Sequence, residues 1–278
     1  MTQEYKQLWR FYVDRVSSSS LAGRQIFLNE EESRLAAQVL RLREGEGVEL
    51  ADGFGWSARA VVSAVQKKTV EVEVQNDLHS PKSTLPRLAV VGLPKPGALD
   101  EVVQAAVDSG LDHLIFFRGE RSTSKQEFKA EKIHRHVFEL SRITKSPWNL
   151  AVDYCESLSA ALEKALVVFQ SSNPCFFVCD ERPVHGDNLG PTPHLLEMLL
   201  RFPARSWACI VGPEASFGAH EYELLQQFKE NHTLDFVSLG NRILRTPAAV
   251  AAATWMMAGC QEQKIYGTGS PNSAHTPK

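Results

Sequence analysis

The sequence predicts an α/β protein in two parts: a small β-rich N-terminal domain, then a parallel sheet covered by helices. Three observations carry that expectation. Up to residue 78 apolar and polar residues alternate in short runs. From residue 87 strand-like runs alternate with helical ones, and the Pro/Ser/Asp-rich stretch "DLHSPKSTLP" stands between the two patterns.

In the first part, "LWRFYV", "RQIFL", "GVELADG", "WSARAVVSAV" and "TVEVEV" alternate or carry β-branched residues. Turns are expected at Asp52-Gly53 and Lys67-Lys68. One helix, "EEESRLAAQVL", interrupts the strands, with Asn29 placed to cap it. Strands so short and numerous suggest a barrel. The boundaries that follow are a β-barrel domain over 1–78, a linker over 79–86 and an α/β domain over 87–262. A disordered tail is expected over 263–278.

In the second part "RLAVVGL" leads into "GALDEVVQAAVDSG", where Gly110 is a candidate helix C-cap. Then come "HLIFF", a long polar helix over 126–144, "LAVDY", and a helix opened by Ser157. "CFFVCDE", a helix after Pro193, "SWACIVG", a helix near 219–229, "FVSLG" and an alanine-rich helix complete the series. In such a sheet ligands bind outside the carboxyl ends of the strands.

A hydrophobic share of 43% and a charged share of 23% are those of a globular protein with sizeable cores. The formal charge of −3 argues against a chain that is basic throughout, while leaving room for a local basic surface. No run reaches the ~18 apolar residues of a membrane span, and the first residues lack a secretory pattern. A cytoplasmic protein is expected. Cys155, Cys175, Cys179, Cys209 and Cys260 show no zinc-ligand spacing and are expected to be reduced, with no metal site.

Three stretches are candidates for chemistry. In "CIVGPEASFGAHEYELL" a buried strand runs into Gly212-Pro213-Glu214 and then a helix capped by Ser216 or Gly218. A glycine there lets a ligand approach the backbone, although an ordinary strand-to-helix turn carries the same punctuation. In "VSLGNRILRTPAAVAAATW" Gly240, Arg242 and Arg245 lie between a buried strand and a helix too apolar to be a surface element. Together the two describe adjacent strand ends with glycine loops, a good place for a cofactor. The third stretch, 118–145, holds eight Lys/Arg against four Glu, a net of 8 − 4 = +4. It is either a phosphate-binding surface or an exposed salt-bridged helix. Asp180 and Glu181 could touch a ribose, but a polar strand end explains them as well.

At these residues the chain resembles a known family. "VGPEASF" with "VSLGNRILRTPAAVAA" resembles the paired loops of the SPOUT methyltransferases, in particular the 16S rRNA uridine-N3 methyltransferases of the RsmE type. "RFYV" and "QVLRLREGEGVELADG" are similar to that family's PUA-like barrel, and "LPKPGALDEVVQAAVDSGLDHLIFFRGERST" to its first strand, helix and strand. The resemblance covers nearly the whole chain.

It implies a trefoil-knotted α/β domain, an exception to the rule against threading. S-adenosylmethionine would be held by Leu93, Val211, Gly212, Pro213, Glu214, Leu239, Gly240, Ile243, Leu244, Arg245 and Ala249. It further implies a homodimer acting on small-subunit ribosomal RNA. Arg245 and Arg242 would stabilise the uridine anion as N3 loses its proton; Glu139 and Glu214 are the candidate bases. Arg10, Arg41, Arg43, Arg121, Lys125, Lys129, Lys132 and Arg142 are the candidate RNA contacts. Three departures fall on the cofactor and substrate side: Ala215-Ser216 replaces Gly-Gly, Pro247-Ala248 replaces Glu-Thr, and Leu140 replaces Gln. The rival readings are a non-catalytic RNA-binding paralogue and a SPOUT enzyme with another RNA substrate.

Overall fold

The computed structural model describes residues 8–17, 20–66, 68–122, 127–170, 173–180, 192–202 and 205–266. These divide into two compact units, one reaching Lys82 and including Phe138–Asn149, the other formed by Ser83–Val137 and the residues from Leu150.

The first unit is a five-stranded sheet. It comprises β1 (Trp9–Tyr12), β2 (Gln25–Phe27), β3 (Gly47–Ala51), β4 (Trp56–Val65) and β5 (Val70–His79), in the order β1-β3-β4-β5-β2. Alternation decides which face is buried. Trp56, Ala58, Ala60 and Val62 of β4 and Val70, Val72 and Val74 of β5 point into one core, while Glu71 and Glu73 point out. Register shifts at Arg59/Ala60 and Val62/Ala64 interrupt the β4–β5 ladder. The order has two ends, β1 and β2.

The expected helix forms as α1 (Glu30–Arg34), capped by Asn29, whose Oδ1 accepts from Glu32 N at 2.9 Å; it continues as a π turn over Leu35–Val39. The expected linker begins too early, because β5 stays paired with β4 as far as His79. Asp77 is part of that structure: its carboxylate accepts from Trp56 Nε1, Ser20 Oγ and Leu21 N.

Residues 138–149 join this unit through buried charge. Arg142 forks onto Glu32 at 2.7 and 2.8 Å and donates to Arg10 O at 2.6 Å. Arg10 donates to Glu49, to Lys145 O and to Ser146 O, and Lys145 closes the group on Glu49 at 2.7 Å. Paired in this way, buried charges become tolerable.

The second unit is a six-stranded parallel sheet of β6 (Arg87–Gly92), β7 (His113–Phe117), β8 (Ala151–Cys155), β9 (Cys175–Cys179), β10 (Trp207–Val211) and β11 (Leu234–Val237). Its order is β11-β9-β10-β6-β7-β8. Strands such as WACIV are buried at every residue, as a sheet covered on both faces requires. The helices are α2 (Pro96–Asp108), α3 (Ala130–Thr144), α4 (Leu158–Phe169), α5 (Leu195–Arg201), α6 (Ala219–Asn231) and α7 (Thr246–Tyr266). Only the residues of α3 as far as Val137 count with this unit.

Local signals end these helices as expected. Gly110, at φ +65°, follows the C-cap of α2, with Gly110 N bonded to Val107 O and Leu111 N to Ala106 O. Ser157 Oγ accepts from Ala160 N at the start of α4. Two boundaries differ from expectation. Helix α3 opens at Ala130 rather than 126, and α7 runs through residue 266, into the stretch expected to be a disordered tail. The rest of that tail, Glu181, Lys67 and Lys125 lie outside the described residues.

From β6 the chain moves outward through β7 and β8; from β10 it crosses β9 to reach β11 on the opposite side. Crevices at such a reversal are where open α/β sheets bind ligands. Gly212 and Gly240 were expected to end adjacent strands. They do not: β9 lies between β10 and β11, because the last strand adds on the far side of β9.

Candidate active site at the carboxyl ends of the sheet

The loops after β10 and β11 nonetheless meet around a cavity of about 440 Å³, with the end of β9 in its wall. The β10 loop is held by close packing. A Cβ on Gly92 would come within 2.4 Å of Pro213 N, and one on Gly119 within 2.8 Å of the Pro213 ring. Glu221, 7% exposed, accepts from Gly218 N at 2.7 Å and from Glu120 N at 3.0 Å, tying the cap of α6 to the loop after β7. Gly218 is thus the cap. Its neighbour Ser216 has φ +62°, with its N–H bonded to Pro213 O at 2.7 Å.

The second loop is shaped by Gly240, at φ +133°, a backbone conformation that side chains disfavour. Ser238 Oγ accepts from Gly240 N and donates to Gly240 O. Arg245 opens α7: its carbonyl accepts from Ala249 N at 2.9 Å. Pro247 follows within the first helical turn, where no N–H partner is needed. Arg242 and Arg245 line the cavity, are exposed, and have no carboxylate partner among the described residues.

Most of the residues expected at a cofactor line this one cavity: Val211, Gly212, Pro213, Glu214, Leu239, Gly240, Ile243, Leu244, Arg245 and Ala249. Leu93 does not; it lines a smaller cavity of about 180 Å³ beside the first, with Lys95, Arg121 and Ala215. Lys95, Pro213 and Glu214 border both cavities, and Lys95 and Glu214 form an ion pair at 3.4 Å. Glu139 is exposed, belongs to the first unit and is absent from either lining.

Asp180 lines the main cavity, which a polar strand end alone would not require. It accepts a hydrogen bond from the Tyr222 hydroxyl, and that ring packs against Phe217 and Phe236. Its place at the end of an apolar strand was the one available signal. Cys179 is also in the wall. Burial first, then Cys209 and Asp180, push its thiol well above the ordinary value, so it is neutral and no nucleophile. Burial pushes Cys209 up to about 12.

Two expected RNA contacts are corrected. Arg10 is 3% exposed, with its terminal nitrogens committed to Glu49 and two carbonyls, so it is buried away from any phosphate. Arg142 is likewise committed to Glu32 and the Arg10 carbonyl. Arg41, Arg43, Arg121, Lys129 and Lys132 are exposed, with Lys132 3.3 Å from Asp100. Among the described residues there is no group of three His, Cys, Asp or Glu that could hold a metal, and no helix long and apolar enough to cross a membrane.

Family models decide the identity: the description "RNA methyltransferase domain" matches residues 81–258, and "RNA methyltransferase PUA domain" matches 28–75. The chain belongs to the RNA methyltransferase family. The methyltransferase domain therefore contains the cavity, and the PUA domain the first sheet.

Ribosomal RNA small subunit methyltransferase E from Mycobacterium bovis and from Mycobacterium tuberculosis are each 29% identical over 111 residues. That stretch is 40% of this chain and spans only 41% of either relative. A putative methyltransferase from Legionella pneumophila, solved with bound cofactor SAM, superposes with a TM-score of 0.71 at 20% identity, covering 91% of this chain and 98% of that one. A ribosomal RNA small subunit methyltransferase E from Neisseria gonorrhoeae, bound to S-adenosyl methionine, gives 0.68 at 21% identity, covering 93% and 98%. These structural likenesses are of fold.

Proposed function

We propose that the protein transfers a methyl group from S-adenosylmethionine to N3 of a uridine in small-subunit ribosomal RNA. The observation that carries the reading is the pair of cavity-lining arginines, Arg242 and Arg245, beside two loops whose glycines bring backbone to the cavity. The lining suits the cofactor by its chemistry: Gly212, Pro213 and Glu214 from one loop and Gly240 from the other, apolar side chains of Leu239, Ile243 and Ala249, and the Asp180 carboxylate for a hydroxyl donor. S-adenosylmethionine supplies an electrophilic methyl on a sulfonium.

The protein's own work is positional and electrostatic. Uridine N3 attacks only after losing its proton, and the charge then spreads onto the flanking carbonyl oxygens. Arg245, held at the start of α7, donates to those oxygens as the charge develops, with Arg242 beside it. Glu214, which borders both cavities, takes the proton, and its ion pair with Lys95 at 3.4 Å holds the carboxylate in place. The two loops that line the cavity supply orientation.

The trefoil knot and a homodimer belong to the same proposal. Trp255 on α7 is 55% exposed and Ile243 83%, apolar surface that a second copy would cover. The test is mass spectrometry of small-subunit ribosomal RNA from cells with and without the gene. One uridine should lose its methyl group in the deletion, and return with the wild-type gene. Unchanged ribosomal RNA would overturn the substrate assignment, and a protein that binds RNA without methylating any would be the non-catalytic paralogue.

A further inference from the structure

The PUA domain carries a surface that this chemistry does not use. Between β3 and β4 the chain runs Asp52-Gly53-Phe54-Gly55-Trp56, and every backbone turn of it is pinned. Asp52 Oδ1 accepts from Phe54 N at 2.7 Å and from Trp56 N at 3.0 Å, while Oδ2 accepts from Val16 N. Gly53 and Gly55 have φ +74° and +101°. Gly53 O accepts from Asn149 N, Gly55 N donates to Pro147 O, and Gly55 O accepts from Ser80 N. A Cβ on Gly55 would lie 2.6 Å from the Trp148 ring, and one on Gly53 2.2 Å from the Asn149 amide.

At the tip of this rigid loop Phe54 is 48% exposed. It sits opposite Trp148 in an antiparallel bridge, which sets the two side chains on the same face of the pair. Each ring carries a cation. The Arg15 guanidinium lies 4.7 Å from the Phe54 ring centre, and the Lys82 ammonium 5.7 Å from that of Trp148. The Trp148 ring is fixed by its Nε1 donating to Ser80 O at 3.0 Å.

A large ring held in water at a braced tip adds little to the core. Its rigidity instead lowers the entropy cost of stacking something upon it. Flat apolar surface alternating with positive charge matches one class of ligand: unpaired bases linked by phosphates. A duplex offers the phosphates but keeps its bases stacked inside. A protein partner would call for a continuous apolar patch, which the two cations interrupt.

We propose that Phe54, backed by Arg15 and flanked by Trp148 and Lys82, is a stacking platform for a base of single-stranded RNA. This rests on the reading that the protein acts on RNA, and adds where an unpaired segment of that RNA is gripped.

The test uses the full chain, a short fluorescein-labelled single-stranded RNA of mixed sequence, and the same RNA annealed to its complement, followed by anisotropy. Phe54→Ala should weaken single-strand binding by roughly 5- to 150-fold, the scale for losing one aromatic stack, and leave duplex binding nearly unchanged. Phe54→Tyr should bind like the wild type. Arg15→Gln with Lys82→Gln should lower the salt slope by about 1.4. Thermal midpoints and S-adenosylmethionine affinity by calorimetry should be the same in all variants. Phe54→Ala binding single strands normally overturns the platform, with methyl transfer intact, and leaves the patch to a protein partner. Equal losses for single strand and duplex overturn stacking in favour of charge alone. Wild-type protein that binds neither RNA removes the RNA reading itself, a result Phe54 variants cannot mimic.

Discussion

Ser216 and Ala215 stand where the resembled family has two glycines, and the structure separates them. Ser216 has φ +62°, while Ala215 is not among the residues at positive φ. A non-glycine residue in the left-handed region is strained by roughly 1–2 kcal/mol. Removing the Cβ also frees the unfolded chain, at a cost of about 0.5–1 kcal/mol. Ser216→Gly should therefore be neutral to stabilising, by up to about 1 kcal/mol. Ala215→Gly relieves no strain and should destabilise by about 0.5–1 kcal/mol. For a unit of this size the two variants should separate by roughly 1–8 °C in thermal midpoint.

Sequence alone marks Ala215 as the costlier departure because its loop passes the cofactor. Yet Ala215 lines the smaller cavity and Ser216 the main one, so any gain in cofactor affinity also belongs to Ser216→Gly. Differential scanning fluorimetry and calorimetry with S-adenosylmethionine measure both effects. If Ser216→Gly lowers the midpoint further than Ala215→Gly, the strain argument is wrong, and the Ser216 side chain contributes more than its backbone costs.

Three other outcomes are expected. Arg245→Ala should reduce methyl transfer by roughly 10²–10³-fold while cofactor affinity by calorimetry is kept; lost affinity or lost folding would assign Arg245 to binding or packing. Lys129→Glu with Lys132→Glu should weaken RNA binding and flatten its dependence on salt, and an unchanged slope would make that helix face a solvated surface only. Glu49 is pulled two ways: burial raises its carboxyl, but Arg10 and Lys145 outweigh this and hold it below its ordinary 4.5. A lowered folded value means the contribution is complete above pH 4.5 and is lost as pH falls through the folded value. Glu49→Gln should then cost about 2 kcal/mol at neutral pH and remove that acid-side loss in denaturant titrations.

Most elements were legible because local chemistry decides them. Asn29, Ser157 and Gly110 sit where capping needs them, and the period of two in "WSARAVVSAV" and "VEVEV" is the signature of one wet face. The cavity residues were legible through the glycines and apolar positions of two loops. Arg10 and Arg142 were misjudged because a positive charge in a sequence looks the same whether a phosphate or a buried carboxylate neutralises it. Their partners Glu49 and Glu32 lie 39 and 110 residues away.

What the sequence determined by itself was thus whatever depends on neighbours along the chain: strand and helix periods, caps, glycine-permitted turns, and the order of the family's motifs. Only the tertiary structure decided which strand lies beside which. Parallel strands need long crossovers, so adjacency is set by how helices cover the sheet, and no spacing of residues states that β9 inserts between β10 and β11. The same holds for Asp180, Lys95 and Ser216. Each is an ordinary residue at the end of an element, and reaches the cavity lining only because folding brings those ends together.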